Sequence, residues 1–196
     1  MKNYRPISNL PFLPQILEKI VLHKLLSHLQ ENNLSNPFQS AYRAGHSTET
    51  VLLRVVNDIL FALDNDNISV SLLLDLSAAF DITDRRILLS RLNSVLGIQS
   101  TALQWFQSYF SDRYQSTSVN NSSSSPSQLM YSVPQGSVLG PILFVLYTTY
   151  FSDIIANHSV KHQLFADDIQ LQKSATFSEM TNLTKELNQS MHAQTT

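Results

Sequence analysis

Three aspartates stand apart from the other acidic residues of this chain by their apolar company. Asp75 closes the run Ile68 to Leu74, and Asp167-Asp168 sit side by side between Phe165-Ala166 and Ile169. A carboxylate at a strand end keeps one face in water, whereas two adjacent carboxylates raise each other's pKa unless a cation neutralises them. A divalent cation does so, and oxygen ligands with no Cys or His beside them favour Mg²⁺ or Mn²⁺. The same residues also fit plainer roles: an Asp-Asp pair serves as turn chemistry, and Asp75 could cap a following helix. The six histidines show no ligand spacing. His158 and His162 straddle a predicted helix end, which argues against a zinc pair.

Basic residues are few. Arg5, Lys19, Lys24, Arg43 and Arg54 make the first third slightly positive, while the last third carries the Asp pair. An acidic metal pocket with a modestly basic lobe suits a nucleoside triphosphate, with metal and cation sharing the phosphate charge. Solvated helix faces give the same counts.

The elements that must hold these residues follow from periodicity. Leu13, Ile16, Leu17, Ile20, Val21, Leu25 and Leu29 have amphipathic-helix spacing, and a loop follows through Asn36-Pro37. A second helix begins at Ser47 or Thr48, either of which can cap it, and Asp64-Asn65-Asp66-Asn67 stops it. Ile68 to Leu74 reads as a buried strand running into Asp75. Helical patterns cover Ile87 to Leu96 and Ala102 to Phe110, and Tyr114 to Val133 reads as a hairpin with a serine-rich tip. Val138 to Ile155 reads as one apolar helix with Gly140-Pro141 in its first turn. Two short strands then flank Asp167-Asp168, and a polar helix begins near Thr176. Helices interleaved with hairpin-joined strands predict an α+β fold, an antiparallel sheet with helices on one face.

Composition narrows the classes. The chain has 196 residues, 43% of them hydrophobic, enough for a core of its own. Only 14% are charged, against about 25% for an average domain, so Ser, Thr, Asn and Gln supply much of the surface. The absence of cysteine excludes a disulfide scaffold and any Cys-based zinc site or nucleophile. A net charge of −2 gives no broad attraction to nucleic acid, so such a partner has to be argued from local residues. The longest apolar stretch, Val138 to Phe151, falls short of a membrane span, and the start of the chain has no secretory pattern. The expectation is an intracellular chain with no membrane partner.

At the level of motifs the residues resemble a known family. Leu74-Asp75-Leu76-Ser77-Ala78-Ala79-Phe80-Asp81, Val133-Pro134-Gln135-Gly136-Ser137-Val138-Leu139-Gly140-Pro141 and Phe165-Ala166-Asp167-Asp168 look like three successive reverse-transcriptase motifs. Asn3-Tyr4-Arg5-Pro6-Ile7-Ser8 and Gln39-Ser40-Ala41-Tyr42-Arg43-Ala44-Gly45-His46-Ser47-Thr48-Glu49-Thr50 look like upstream fingers motifs of the same enzymes. The combination is similar to LINE-type (non-LTR) retrotransposon polymerases and covers about residues 3 to 172. A lone Asp-Asp is a weak signal, but five motifs in the right order are a strong one.

The resemblance implies a right-hand polymerase: fingers over about residues 1–67, an antiparallel palm with some fingers elements over about 68–175, and a cut-off helix over 176–196. It implies catalysis by Asp75, Asp167 and Asp168, with those carboxylates and the Leu76 carbonyl holding two Mg²⁺ ions, or Mn²⁺. The implied partners are an RNA template, a DNA primer and deoxynucleoside triphosphates. Phe80, five positions after Asp75, matches the ring that excludes a ribose hydroxyl. Gln135 and Gly136 match the segment facing the templating base pair, and Arg43 and Arg5 match phosphate-contacting positions. By the residues alone, Phe80 fits a core aromatic and each arginine fits a surface residue.

Some positions depart from the family pattern. Tyr147-Thr148-Thr149-Tyr150-Phe151 stands where members often carry Pro or Asn-Asp, and Gln172-Lys173 where an aromatic is common. The downstream lysine motif and thumb find no match, so the resemblance implies a fragment of a larger retroelement protein. The alternative is a non-catalytic relic that binds RNA weakly at most.

Overall fold

We describe the chain from a computed structural model, which describes residues 7–8, 10–76, 80–120, 122–158 and 160–179. In chain order the elements are α1 (Phe12–Glu31), α2 (Thr48–Asp64), β1 (Ile68–Asp75), α3 (Arg85–Ser94), α4 (Ser100–Phe110) and β2 (Tyr114–Gln115). They continue with β3 (Ser118–Val119), β4 (Ser122–Ser123), β5 (Ser127–Gln128), α5 (Gly140–Thr148), α6 (Tyr150–Ala156), β6 (Lys161–Phe165) and β7 (Asp168–Ala175). A single 3₁₀ turn, Phe177–Glu179, starts where a polar helix was expected. The rest of that segment lies outside the described residues. The chain divides into two compact units, one with α1 and α3 through α5, the other with α2, β1, α6, β6 and β7.

The first unit is held by leucines and aromatic rings. Leu25 and Leu29 of α1 meet Leu88 and Leu92 of α3, Phe106 and Phe110 of α4, and Leu143 and Leu146 of α5 in one buried cluster. Asp84 caps α3, accepting from the N–H groups of Arg86 and Ile87. Among the described residues of this unit two charged side chains are buried, and both act on backbone. Arg85 donates to the carbonyls of Ser132 (2.9 Å), Phe110 (3.0 Å) and Leu129 (2.6 Å), tying the far end of the hairpin segment to the end of α4. Glu18, 2% exposed, accepts from the N–H groups of Val138 (2.6 Å) and Leu139 (3.3 Å), just ahead of α5. A carboxylate at that position meets orphan donors and the positive end of the helix dipole.

The expected hairpin is two short nested pairs, β2 with β5 and β3 with β4, all of them exposed. Asn120 takes the left-handed conformation (φ 48°) at the tip, as turn asparagines do. The single helix expected from Val138 to Ile155 is two helices, interrupted at Thr149. Thr149 keeps helical dihedrals (φ −52°, ψ −35°), so the interruption lies in the hydrogen bonding. Threonine hydroxyls compete for helix carbonyls, and Thr148-Thr149 put two of them at the point where the chain passes between units.

The second unit is built on a three-stranded antiparallel sheet of order β1-β7-β6. Leu72 and Leu74 of β1 share a face with Ile169 and Leu171 of β7, packed with Leu164, Val160 and Ile155 in a second core. The alternate residues face away from it, with Leu73 77% exposed and Asp75 exposed. Residues 38–40 add to the outer edge of β6: Leu164 N–H donates to the Phe38 carbonyl (2.8 Å) and Ser40 N–H to the Leu164 carbonyl (3.0 Å). Of the two candidate caps, Ser47 caps α2, and it does so through a reciprocal box with Thr50.

Candidate active site

Hairpin register brings the three aspartates to one end of the sheet. Ala166 and Asp167 form a two-residue loop between β6 and β7, so Asp168 is the first residue of β7 and lies directly opposite both Phe165 and Asp75. Directly opposed residues in an antiparallel ladder project to the same face. The Leu76 N–H donates to the Asp167 carbonyl (3.2 Å), carrying the β1–β7 contact one step past the ladder into the turn. Asp75 and Asp168 are exposed and Asp167 is half-buried. Asp75 does not cap the next helix, a role taken by Asp84.

Among the described residues, no protein cation pairs with this group. The two ion pairs among the described residues are Arg86–Asp84 and Lys161–Asp58, and no side-chain hydrogen bond reaches Asp75, Asp167 or Asp168. Partial burial, followed by the charges of Asp167 and Asp75, pushes the Asp168 carboxyl above its ordinary value. Crowded, unpaired carboxylates of this kind suit a hard divalent cation, which lowers the cost of keeping all three ionised. Among the described residues the side chains are not already gathered into a three-ligand cage. The donor chemistry fits a cation, and ligation would draw in carboxylates that register has already made neighbours.

The segment after Pro37 packs beside the turn. Gln39, Ser40 and Ala41 are buried. Gln163 Nε2 donates to the Phe38 carbonyl (2.7 Å) and to Ser40 Oγ (2.8 Å). Gln39 Oε1 accepts from Ala41 N–H (2.9 Å) and from Ala166 N–H (3.2 Å). Tyr42 follows in a left-handed conformation (φ 57°), and burial together with the negative Asp167 pushes its hydroxyl above the usual tyrosine value. Arg43 is exposed and its Nη1 reaches the Asn36 carbonyl at 3.3 Å.

The residues expected to face the nucleotide belong to the other unit. Phe80 is half-buried, stacks on Phe144 with ring centroids 4.7 Å apart, and accepts at its carbonyl from Val133 N–H (3.0 Å). The Gln135 carbonyl accepts from Ser8 N–H (2.7 Å). Gly136 has φ 89°, and a Cβ there would stand 3.0 Å from the Ile7 Cγ2 methyl. The close approach that this glycine permits within the unit is therefore to residues 7–8. Arg5, with the rest of its motif up to Pro6, and Ser77 to Ala79 lie outside the described residues. Sequence reasoning quoted Gln39 and Tyr42 inside a motif without giving either a role. The available signal was an uncharged polar residue, Gln39, within the short run leading to Arg43.

Comparison with known proteins follows the same lines. A family model described as reverse transcriptase (RNA-dependent DNA polymerase) matches residues 1–195. The RNA-directed DNA polymerase from mobile element jockey of Drosophila funebris is 34% identical over 190 residues, covering 94% of this chain and 20% of that protein. The probable RNA-directed DNA polymerase from transposon X-element of Drosophila melanogaster is 32% identical over 169 residues, covering 85% of this chain and 18% of that protein. The chain thus spans about a fifth of the length of these relatives. Among solved structures, apo telomerase from Candida tropicalis, truncated from its C-terminal domain, has the same fold. It superposes with a TM-score of 0.58 at 13% identity, over 89% of this chain and 37% of that one.

Proposed function

Because the chain belongs to the reverse transcriptase (RNA-dependent DNA polymerase) family, we propose that it carries the nucleotidyl-transfer centre of a retrotransposon polymerase, copying RNA into DNA. The observation that carries this reading is the Asp75–Asp168 pairing, with Asp167 in the adjoining turn and, among the described residues, no cation paired with the three. The β1-β7-β6 sheet is then the core of a palm spanning about residues 68–175, and residues up to about 67 contribute fingers. Family members use divalent metal ions; here Asp75, Asp167, Asp168 and the Leu76 carbonyl would hold two Mg²⁺ or Mn²⁺. Bound divalent cations lower the pKa of a primer 3′-hydroxyl and neutralise charge on the triphosphate.

The chain's own residues do the rest by position. A half-buried Phe80 fixed by its stack on Phe144 presents a stiff wall, and a stiff wall rejects a ribose 2′-hydroxyl by sterics better than a mobile one. Gln135 and Gly136, in the tight loop ahead of α5, approach the templating base pair, and Arg43 and Arg5 offer guanidinium forks to phosphate. RNA template, DNA primer and deoxynucleoside triphosphates are the partners of this reading.

Primer extension on an RNA template with a DNA primer, deoxynucleotides and Mg²⁺ or Mn²⁺ tests it. Extension by the wild-type chain that is lost in Asp167→Ala is expected. A folded wild-type chain whose signal equals that of Asp167→Ala would overturn it.

A further inference from the structure

The turn that carries Asp167 is held by a residue outside the three polymerase motifs. Gln39 is 4% exposed, and its Oε1 is the shared acceptor of two backbone donors, Ala41 N–H at 2.9 Å and Ala166 N–H at 3.2 Å. Two N–H groups converging on one atom fix the amide orientation, because a flipped amide would turn its own N–H toward both donors. The same orientation leaves the buried Nε2 of Gln39 without a partner. Buried polar groups are nearly always satisfied, so an unpartnered one at a structured turn marks a place where another constraint has set the geometry.

That constraint is visible in the backbone. Ala166 has φ 55° and Tyr42 has φ 57°, so a strained non-glycine residue lies on each side of the Gln39 bridge. An alanine in the left-handed region needs its surroundings to hold it there, and Ala166 N–H has Gln39 Oε1 as that hold. The flanking contacts run the same way: Gln163 Nε2 grips Phe38 and Ser40, and Leu164 pairs with both through backbone bonds. If Ala166 relaxed to negative φ, the turn would shift and Asp167 beside it would lose the backbone placement, including the Leu76 N–H bond to its carbonyl, that makes it a neighbour of Asp75 and Asp168.

We infer that Gln39 is a positioning residue: its amide oxygen locks the Ala166 peptide so that Asp167 keeps its place in the turn beside Asp75 and Asp168, where a divalent cation can draw the three carboxylates together. This rests on the three aspartates being the cation site, as proposed above. Residues that orient metal ligands through hydrogen bonds typically change metal affinity by about 10- to 100-fold when removed.

The test uses the chain itself with Mn²⁺ as probe, followed by electron paramagnetic resonance, and amide hydrogen exchange followed by NMR. Gln39→Met keeps the length and removes the acceptor, while Gln39→Glu restores an acceptor for both N–H groups. The expected result has four parts. Ala166 N–H is protected in the wild type and loses that protection in Gln39→Met. Mn²⁺ affinity falls about tenfold in the same variant. Gln39→Glu recovers both, and the thermal midpoints of the three chains stay close. Wild-type Mn²⁺ affinity in a folded Gln39→Met chain would overturn the inference, as would fast Ala166 exchange in the wild type even if Gln39→Met did not fold. An equal loss in Gln39→Glu would also overturn it. Asp167→Ala separates the two levels. If wild type and Asp167→Ala bind Mn²⁺ alike, the cation-site reading fails. If only Asp167→Ala loses affinity, that reading stands and the role of Gln39 fails.

Discussion

The two units treat charge in opposite ways. The helical unit buries Glu18 and Arg85 and gives each of them backbone partners, so its charges act as struts for the segment before α5 and the end of the hairpin. The sheet unit buries polar residues that are uncharged or held neutral, Gln39, Ser40, His162, Gln163 and Gln172, and leaves Asp75 and Asp168 exposed with no counter-ion among the described residues. A buried charge with hydrogen-bond partners is part of the architecture, and its removal leaves desolvated donors or acceptors behind. A crowded, unpaired acidic group works against its own stability and is best understood by what it is kept for. The contrast separates buried charges that hold the chain from exposed carboxylates that the proposed function gives to a cation.

The contrast can be broken at several strengths. Asp167→Ala should lower primer extension by about 10³-fold or more, since a lost metal ligand removes several kcal/mol of transition-state stabilisation, while leaving the thermal midpoint unchanged or slightly raised. A large drop in midpoint would place Asp167 among the struts. Leu143→Ala, at a fully buried position of the helical core, should cost about 2–5 kcal/mol in denaturant unfolding, and Leu171→Ala a similar amount in the sheet core. If the units unfold separately, each variant will shift its own transition. Glu18→Ala should cost about 1–3 kcal/mol by stranding the N–H groups of Val138 and Leu139, and Glu18→Gln, which keeps an acceptor, should cost less. An equal loss in both would put the weight on charge rather than on the hydrogen bonds.

The smallest effect is a pH dependence. His162 lies against the Phe38 ring, with centroids 4.2 Å apart, and the Arg54 guanidinium of α2 stands 5.8 Å from the centroid of the same ring. Burial first, and the Arg54 charge after it, hold His162 below its ordinary value of 6.5, against a backbone hydrogen bond to Val160 that acts the other way. The unfolded chain therefore binds a proton at a higher pH than the folded one. Stability of the sheet unit should be full above about pH 6.5 and fall as pH drops toward the folded-state value. Urea titrations of wild type and His162→Phe across that window should show the slope in the first and a weaker slope in the second.

Sequence reached these regions unevenly, and the reason is distance along the chain. Local signals located α1, α2, β1 and the strands around Asp167-Asp168, because apolar spacing, the capping types Ser47 and Thr48 and the Asn-rich stop after Asp64 all act within a few residues. The break at Thr149 was hidden because apolar residues flank Thr148-Thr149 on both sides, and periodicity cannot register that one stretch serves two cores. Glu18 reads as a solvated helix residue until the segment at Val138 arrives from 120 positions away. Gln39 likewise meets Ala166 across 127 positions, and its polar type within the run to Arg43 does not say which partner it meets. The aspartates were legible because their surroundings are local and their types are restrictive; the residues that hold them were not.

The central claim is that Asp75, Asp167 and Asp168 form a divalent-cation site, and ligand-linked stability tests it directly. A cation that binds only the folded chain stabilises it by about 2.7 kcal/mol at a hundredfold excess over its Kd. Chemical unfolding of the wild type with and without saturating Mn²⁺ should show a gain of about that size that is lost in Asp167→Ala. An equal gain in both chains, or none in the wild type, would contradict the account.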